Sequence, residues 1–390
     1  MFQHKENFDK KKILIITVIS FFIGFSQAVA AYVLSTFFEG AWGAKSVGFF
    51  YAGTYLISLF VLLNLHKVVA KIGKSSAFSL ICLLEILILC SLVFLGFTKA
   101  AAFLVVFYII FSALAWTMID IILETFSKDE ASGEIRGGHL TVFNLGFLFG
   151  PFVSTWLLGR FGYNGIFSFI LFLNIAILIV FVTFVRKVDS QICKKNKVIV
   201  VVKKAWGRKN LMNIYYISFV LEAFFALMVI YTPIYLKETI GFSWAEIGKI
   251  FTVMLIPFVL LQYPVGFLAD KKFGEKEFLI GSLFIMSAST LFIYFTSSTS
   301  MFVWAIILFA TRIGASMIEV LRDSYFYKQV DGKDVDLIDF FRTSSPVGYI
   351  FATLLSALLL IFLPLKFAFI LVAIITLTGI YPAFKLRDSK

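Results

Sequence analysis

The heptapeptide "MIDIILE" at residues 118–124 returns as "MIEVLRD" at 317–323, an offset of 199 residues. That pairing sets Asp120 on Glu319 and Glu124 on Asp323. The same offset sets Gly133 on Gly332 and Val69-Ala70-Lys71 on Leu268-Ala269-Asp270. Separate matches at one offset mark an internal repeat, here two halves in parallel orientation. Both copies are apolar stretches carrying acids, which raises the question of what surroundings hold such a mixture.

Composition supplies the answer. Of 390 residues, 60% are hydrophobic and 18% aromatic, and the mean hydropathy is +0.95, more apolar surface than a water-soluble core can hide. Apolar runs of about 20 residues recur, each long enough at about 1.5 Å per residue to cross about 30 Å of hydrocarbon. Twelve such runs are centred near residues 24, 57, 87, 112, 148, 174, 223, 256, 286, 311, 349 and 375. The pattern predicts an all-α membrane protein of twelve transmembrane helices: residues 1–185 as an N-terminal six-helix bundle, 186–210 as a basic cytoplasmic linker and 211–390 as a C-terminal six-helix bundle. The first run follows Lys10, Lys11 and Lys12 but is too long for a signal sequence and contains Gln27, so it reads as a retained span.

Threading the spans with the amino terminus inside leaves only Lys45, Lys99, Arg160, Lys237 and Lys366 in outer connections, and puts Lys5, Lys10 to Lys12, Lys67, Lys71, Lys74, Lys128, Arg136, the basic residues from Arg186 to Arg208, Lys271, Lys272, Lys276, Lys328, Lys333, Lys385, Arg387 and Lys390 on the inner side. This asymmetry satisfies the positive-inside rule, with both termini cytoplasmic in a plasma membrane. The net charge of +12 is thereby assigned to anionic lipid headgroups of the bilayer rather than to nucleic acid. Cys82 and Cys90 share one predicted helix and Cys193 lies in the linker, while His4, His66 and His139 are scattered. No disulfide framework, metal site or cofactor is expected from these. "IGKSS" at 72–76 has Val68 where a phosphate loop needs its leading glycine, and no stretch offers a nucleophile elbow or a large extramembrane domain. The reading is therefore of a protein that is not an enzyme.

Between the eighth and ninth expected spans runs "VGFLADKKFGEKEF", residues 265–278. Its Gly266, Asp270, Lys271 and Gly274 resemble the signature loop of the major facilitator superfamily, with one residue more between Asp270 and Gly274 than the commonest form. The resemblance covers the whole chain in span count, repeat, central linker and this motif. It implies a monomeric secondary transporter whose two bundles rock about a central site for a small-molecule substrate. It also implies that the signature loop of one half packs against a helix start in the other, here the fifth span at Arg136-Gly137-Gly138-His139. A helix start offers unpaired N–H groups and partial positive charge to Asp270, and Gly137 and Gly138 permit a close approach. Lys271 and Lys272 then pair with Asp323 or Glu319. In the first half Lys71 replaces the acid, while the eleventh span opens with Asp334, Asp336 and Asp339. A charge-swapped latch and a decayed motif both fit that pattern.

An ionised group at mid-depth costs about 2.5–3.5 kcal/mol even on mild insertion scales, so each needs a partner or a use. Glu85, Glu222 and Arg312 are the candidates. The resemblance implies that the first, fourth, seventh and tenth spans line the cavity, which puts Glu222 and Arg312 on one wall near one depth. A Glu222 that meets Arg312 in one state only would meet the requirement for proton coupling; a permanent bridge is the alternative. Glu85, on a peripheral span, has no assigned role. Gln27, Trp116, Asn144, Gln262 and Tyr349 complete the expected cavity. Asp120 belongs either to it or, with Glu124, Glu319 and Asp323, to the gate.

The fifth span spaces Gly137, Gly146, Gly150 and Pro151 as in the antiporter motif of drug–proton exchangers of the same superfamily, which these residues resemble. Ser154 and Thr155 stand where those exchangers continue with glycines, and the fourth span lacks their arginine. The resemblance implies proton-coupled, exporter-like antiport of a small solute, with proton symport or facilitated passage of a nutrient as the other reading. A non-transporting polytopic membrane protein is the distant third. A lipid-modifying enzyme is disfavoured by the repeat.

Overall fold

The computed structural model describes residues 10–126, 132–185, 198–269, 274–330 and 335–387. Every regular element among them is helical and no strand occurs, as befits a chain whose apolar runs must satisfy their own backbone N–H and C=O groups in hydrocarbon. In chain order the first helices are α1 (Lys10–Ala31), α2 (Leu34–Trp42), α3 (Ala44–Ile72), α4 (Lys74–Leu95), α5 (Lys99–Phe126) and α6 (Ser132–Phe184). Next come α7 (Val198–Trp206), α8 (Lys209–Ile234), α9 (Trp244–Leu260), α10 (Gln262–Leu268) and α11 (Lys276–Phe295). The last are α12 (Met301–Gln329), α13 (Val335–Arg342), α14 (Ser344–Phe362), α15 (Phe367–Thr378) and α16 (Ile380–Lys385).

Eleven helical stretches among the described residues are long and apolar enough to cross a membrane, against the twelve expected. The difference lies in Thr141–Phe184, a single stretch of 44 residues. At about 1.5 Å per residue it is about 66 Å long, twice the hydrocarbon thickness. Gly162 breaks it, with φ 63° and ψ −159°, a conformation that only glycine adopts cheaply.

The chain divides into two compact units: residues 1–37 with 57–193, and 38–56 with 194–390. The division falls at 193/194, inside the basic stretch 186–210. It also assigns 38–56, the end of α2 and the first half of α3, to the second unit, unlike a simple cut at the linker.

In the first unit α1 lies along α6, and α4 packs on α5 and α6. The close approach of α1 and α6 is set by glycines. A methyl group on Gly24 would lie 2.5 Å from Phe143 O, one on Gly146 2.4 Å from Phe21 O, and one on Gly150 2.2 Å from Ala28 Cβ. Beneath this contact Ile16, Ile19, Ile23, Phe78, Met118 and Phe181 form a buried apolar core. Helix association within a bilayer gains little from burying more hydrocarbon, so this backbone-to-backbone packing is the main source of cohesion.

In the second unit α8 is the most enclosed of the eleven stretches, with α14, α15 and α12 around it. Gly348 lets α14 approach α8, since a Cβ there would sit 2.9 Å from Glu222 Cβ. Gly314 does the same for α12 on α11, 2.5 Å from Ser282 O. After Pro233 the helix α8 widens into a π-helical turn, Tyr235–Ile240, which Gly241 ends at φ 87°. The next helix starts on a capping box, Ser243 Oγ accepting from Glu246 N at 3.3 Å and Glu246 Oε2 accepting from Ser243 N at 2.8 Å. Large apolar side chains such as Phe94 (90% exposed) and Phe362 (84%) point outward, the arrangement lipid contact requires.

Candidate functional site

Three helices of the second unit place their polar residues together. On α8, Ser218 and Glu222 are one turn apart and share a face. On α12, Glu319, Arg322 and Asp323 stand at i, i+3 and i+4 and do the same. Arg322 Nη1 donates to Glu222 Oε1 at 2.8 Å and to Ser218 Oγ at 2.9 Å. Ser345 of α14 donates to the other carboxylate oxygen, Glu222 Oε2, at 3.0 Å. Both charged side chains are nearly enclosed, at 11% and 12% exposure. In that setting the pair is supported by the hydroxyls of Ser218 and Ser345, while Arg322 Nε is buried without a hydrogen-bond partner among the described residues.

A second carboxylate stands beside the same guanidinium: Asp323 Oδ1 lies 3.5 Å from Arg322 Nε. Glu319, a turn away along α12, accepts from Gln262 Nε2 at 2.6 Å. Three acids therefore surround one arginine among the described residues. Along α14, one turn beyond Ser345, the ring of Tyr349 packs against Tyr55 with centroids 4.1 Å apart. Tyr55 also stacks on Tyr51, and Tyr231 hydrogen-bonds Ser356 at 3.0 Å. The result is an acidic cluster continued by an aromatic, hydroxyl-bearing wall.

Glu222 does not pair with Arg312. That arginine is ten residues from Arg322 on α12, about 15 Å along the axis and on a different face. It is 1% exposed, with its guanidinium 5.0 Å from the Phe224 ring centroid and 6.0 Å from that of Phe225, a cation–π arrangement. Arg322, the residue that does meet Glu222, was not singled out in the sequence. The available signal was asymmetry in the repeat, which sets apolar Leu123 against Arg322.

The profile of the Major Facilitator Superfamily matches residues 16–320 and 226–390. The chain belongs to the Major Facilitator Superfamily. No curated protein matches it in sequence. Among solved structures it is similar to the nucleoside transporter NupG, at 13% identity and a TM-score of 0.72 over 97% of this chain and 100% of that one. A mutant of NupG gives 12% and 0.73 over the same shares. An auto-inhibited peptide transporter of the POT family gives 12% identity and 0.75 over 96% of each chain. As a superfamily member the chain is a multi-pass membrane transporter that moves a solute across a membrane.

Within this superfamily fold the other sequence-predicted residues fall into three groups. The motif residues of the fifth span serve packing: Gly146 and Gly150 seat α6 on α1. Ser154 and Thr155, which replace the glycines of the exchangers, both donate their hydroxyls to Pro151 O, at 3.0 and 2.8 Å. In the first unit Gln27 Nε2 donates to Ser112 O at 3.0 Å, and Trp116 stacks on His139 and packs against Phe143 at 3.9 Å. His139 Nε2 lies 3.4 Å from Ser20 Oγ. Asn144 stands half-buried on α6, within the same unit.

Among the gate residues, Lys71 is exposed in the last turn of α3, and Gly266 lies against Val320, 3.3 Å from a Cβ built there. Asp270 and Lys271 lie outside the described residues. For Asp120, Glu124 and Asp339 only the positions in α5 and α13 are described, and Gly137 and Gly138 fall near the start of α6. The signature loop is nonetheless tied at its far side. Gly274, at φ 75°, donates its N–H to Ala269 O at 3.1 Å. The next residue, Glu275, is fully buried. It accepts from Ser324 Oγ at 3.0 Å and Lys328 Nζ at 2.5 Å, which anchors the loop to the helix that carries Arg322.

Proposed function

We propose that this transporter is proton-coupled, that it moves a cationic amphipathic solute by antiport across the plasma membrane, and that Glu222 is its coupling carboxylate. The observation that carries the reading is the division of Glu222 between Arg322 and Ser345, beside two further acids that compete for the same guanidinium. Arg322 has somewhere else to go. When it turns toward Asp323 or Glu319, Glu222 loses its counter-charge and its proton affinity changes, so protonation and the arrangement of α8, α12 and α14 are linked. A solute with a positive group satisfies the excess of acid in this cluster, and a planar apolar part suits Tyr55 and Tyr349. The spacing of Gly146, Gly150 and Pro151 favours antiport over symport.

In this reading the protein works as a monomer with both termini cytoplasmic. Asp270 latches the start of the fifth span at Gly137 and Gly138, and Lys71 faces the acids around Asp339 as a charge-swapped counterpart. Gln27, Trp116, Asp120, Asn144 and Gln262 supply the remaining surface of the solute path, with Glu124 at the gate.

The test uses the purified chain in liposomes, with ethidium as the cationic probe and an imposed pH gradient as the drive. Wild type is expected to accumulate ethidium against its gradient only when the pH gradient is present. Glu222→Gln is expected to lose that gradient-driven accumulation by at least about tenfold while still equilibrating the probe. Undiminished accumulation by Glu222→Gln would refute the assignment of the coupling site.

A further inference from the structure

Halfway along α4, about 16 Å from either end, Glu85 is 2% exposed. It lines a small cavity inside the first unit, together with Ser26 of α1, Cys82 of α4, Ser112 of α5 and Asn174 of α6. The remaining lining is apolar, and no lysine, arginine or histidine contributes among the described residues. Tyr108, whose hydroxyl is buried nearby, and Cys82 are the other titratable groups facing Glu85. A buried carboxylate without a cationic partner costs several kcal/mol in such surroundings. The mechanism proposed for the second unit makes no use of it.

The neighbours are arranged to present oxygen. Asn174 commits its amide nitrogen to Ser26 Oγ at 3.3 Å and Ile170 O at 3.1 Å, leaving its carbonyl oxygen as the available group. Gln27, by donating to Ser112 O at 3.0 Å, fixes the backbone that carries the Ser112 hydroxyl. Four helices thus bring a carboxylate, two hydroxyls and an amide oxygen to a space large enough for about one water molecule. Hard oxygen ligands of this kind select alkali and alkaline-earth cations over softer metals. The single carboxylate decides the charge, since a divalent ion would leave a net positive charge buried at mid-depth.

We infer that Glu85, Ser26, Ser112 and Asn174 form a binding site for one dehydrated sodium ion within the first unit, separate from the Glu222 cluster. Thermal unfolding of the purified full chain, in sodium chloride and in choline chloride at equal ionic strength and fixed pH, tests it. Sodium is expected to raise the midpoint with the logarithm of its concentration once that exceeds the dissociation constant, by about 3 °C at a hundredfold excess. Glu85→Gln abolishes the shift. Ser112→Ala, which removes one ligand and keeps the Gln27 contact, displaces the same curve to about tenfold higher sodium, and it carries the test should Glu85→Gln fail to fold. The inference is overturned if sodium and choline give the same midpoint, if Glu85→Gln shifts as wild type does, or if Ser112→Ala leaves the curve where wild type has it. A midpoint that responds to pH through Glu85 but never to sodium would make the group a proton site and also overturn it.

Discussion

Arg322 is shared among several partners. Its guanidinium holds Glu222 and Ser218 through one nitrogen and has Asp323 beside another. Arg322→Ala therefore strands Glu222 in a nearly closed site, which is expected to cost about 3–5 kcal/mol of stability. Removing both charges, as Glu222→Gln with Arg322→Gln, should recover most of that loss while abolishing proton coupling. Thermal unfolding of the three proteins checks the order: wild type, then the double variant, then Arg322→Ala. Glu222 was legible in the sequence because a lone acid in the middle of an apolar run must be explained. Arg322 was not, because it stands beside Asp323 near the end of its run, where charge is ordinary. Only the geometry shows that its side chain turns back to meet α8.

The glycines at 146 and 150 read in the sequence as one motif with a functional resemblance, yet in the structure each is a point where α6 meets the backbone or Cβ of α1. Gly150→Leu is accordingly expected to cost about 1–3 kcal/mol through overpacking. Gly159→Ala, with open space around it, should cost nothing or add up to about 1 kcal/mol through reduced backbone freedom in the unfolded chain. Melting curves and the fraction remaining monodisperse after heating distinguish the two. Span positions were legible because each run of about 20 apolar residues has one reading in a bilayer. The junction inside Thr141–Phe184 was not, since the apolar pattern gives no sign that the backbone stays helical up to and directly after Gly162, the residue whose φ of 63° breaks the stretch. The helix α3 shows the same limit, for its apolar pattern contains no sign that residues before 57 pack with the second unit.

For the whole molecule the sequence repeat at an offset of 199 residues predicts two similar halves, an arrangement that could expose a site to one side and then the other. The latch attributed to Asp270 and its swapped counterpart at Lys71 belongs to this scale. Lys71→Asp is expected to slow gradient-driven ethidium transport at least about fivefold if Lys71 meets the acids near Asp339, and Asp339→Lys on that background should restore part of it; initial rates in liposomes report both. In the proposed mechanism protonation of Glu222 is linked to the arrangement of α8, α12 and α14, and through them to which side of the membrane the site faces. Spin labels at Ala100→Cys and Thr299→Cys, in a background whose native cysteines are replaced by serine, put one probe on an exposed position of each unit. The distance distribution between them, measured by double electron–electron resonance in nanodiscs, should shift between low and high pH in wild type, and Glu222→Gln should hold the low-pH distribution at every pH. A Glu222→Gln distribution that moves with pH as wild type does would contradict the claim.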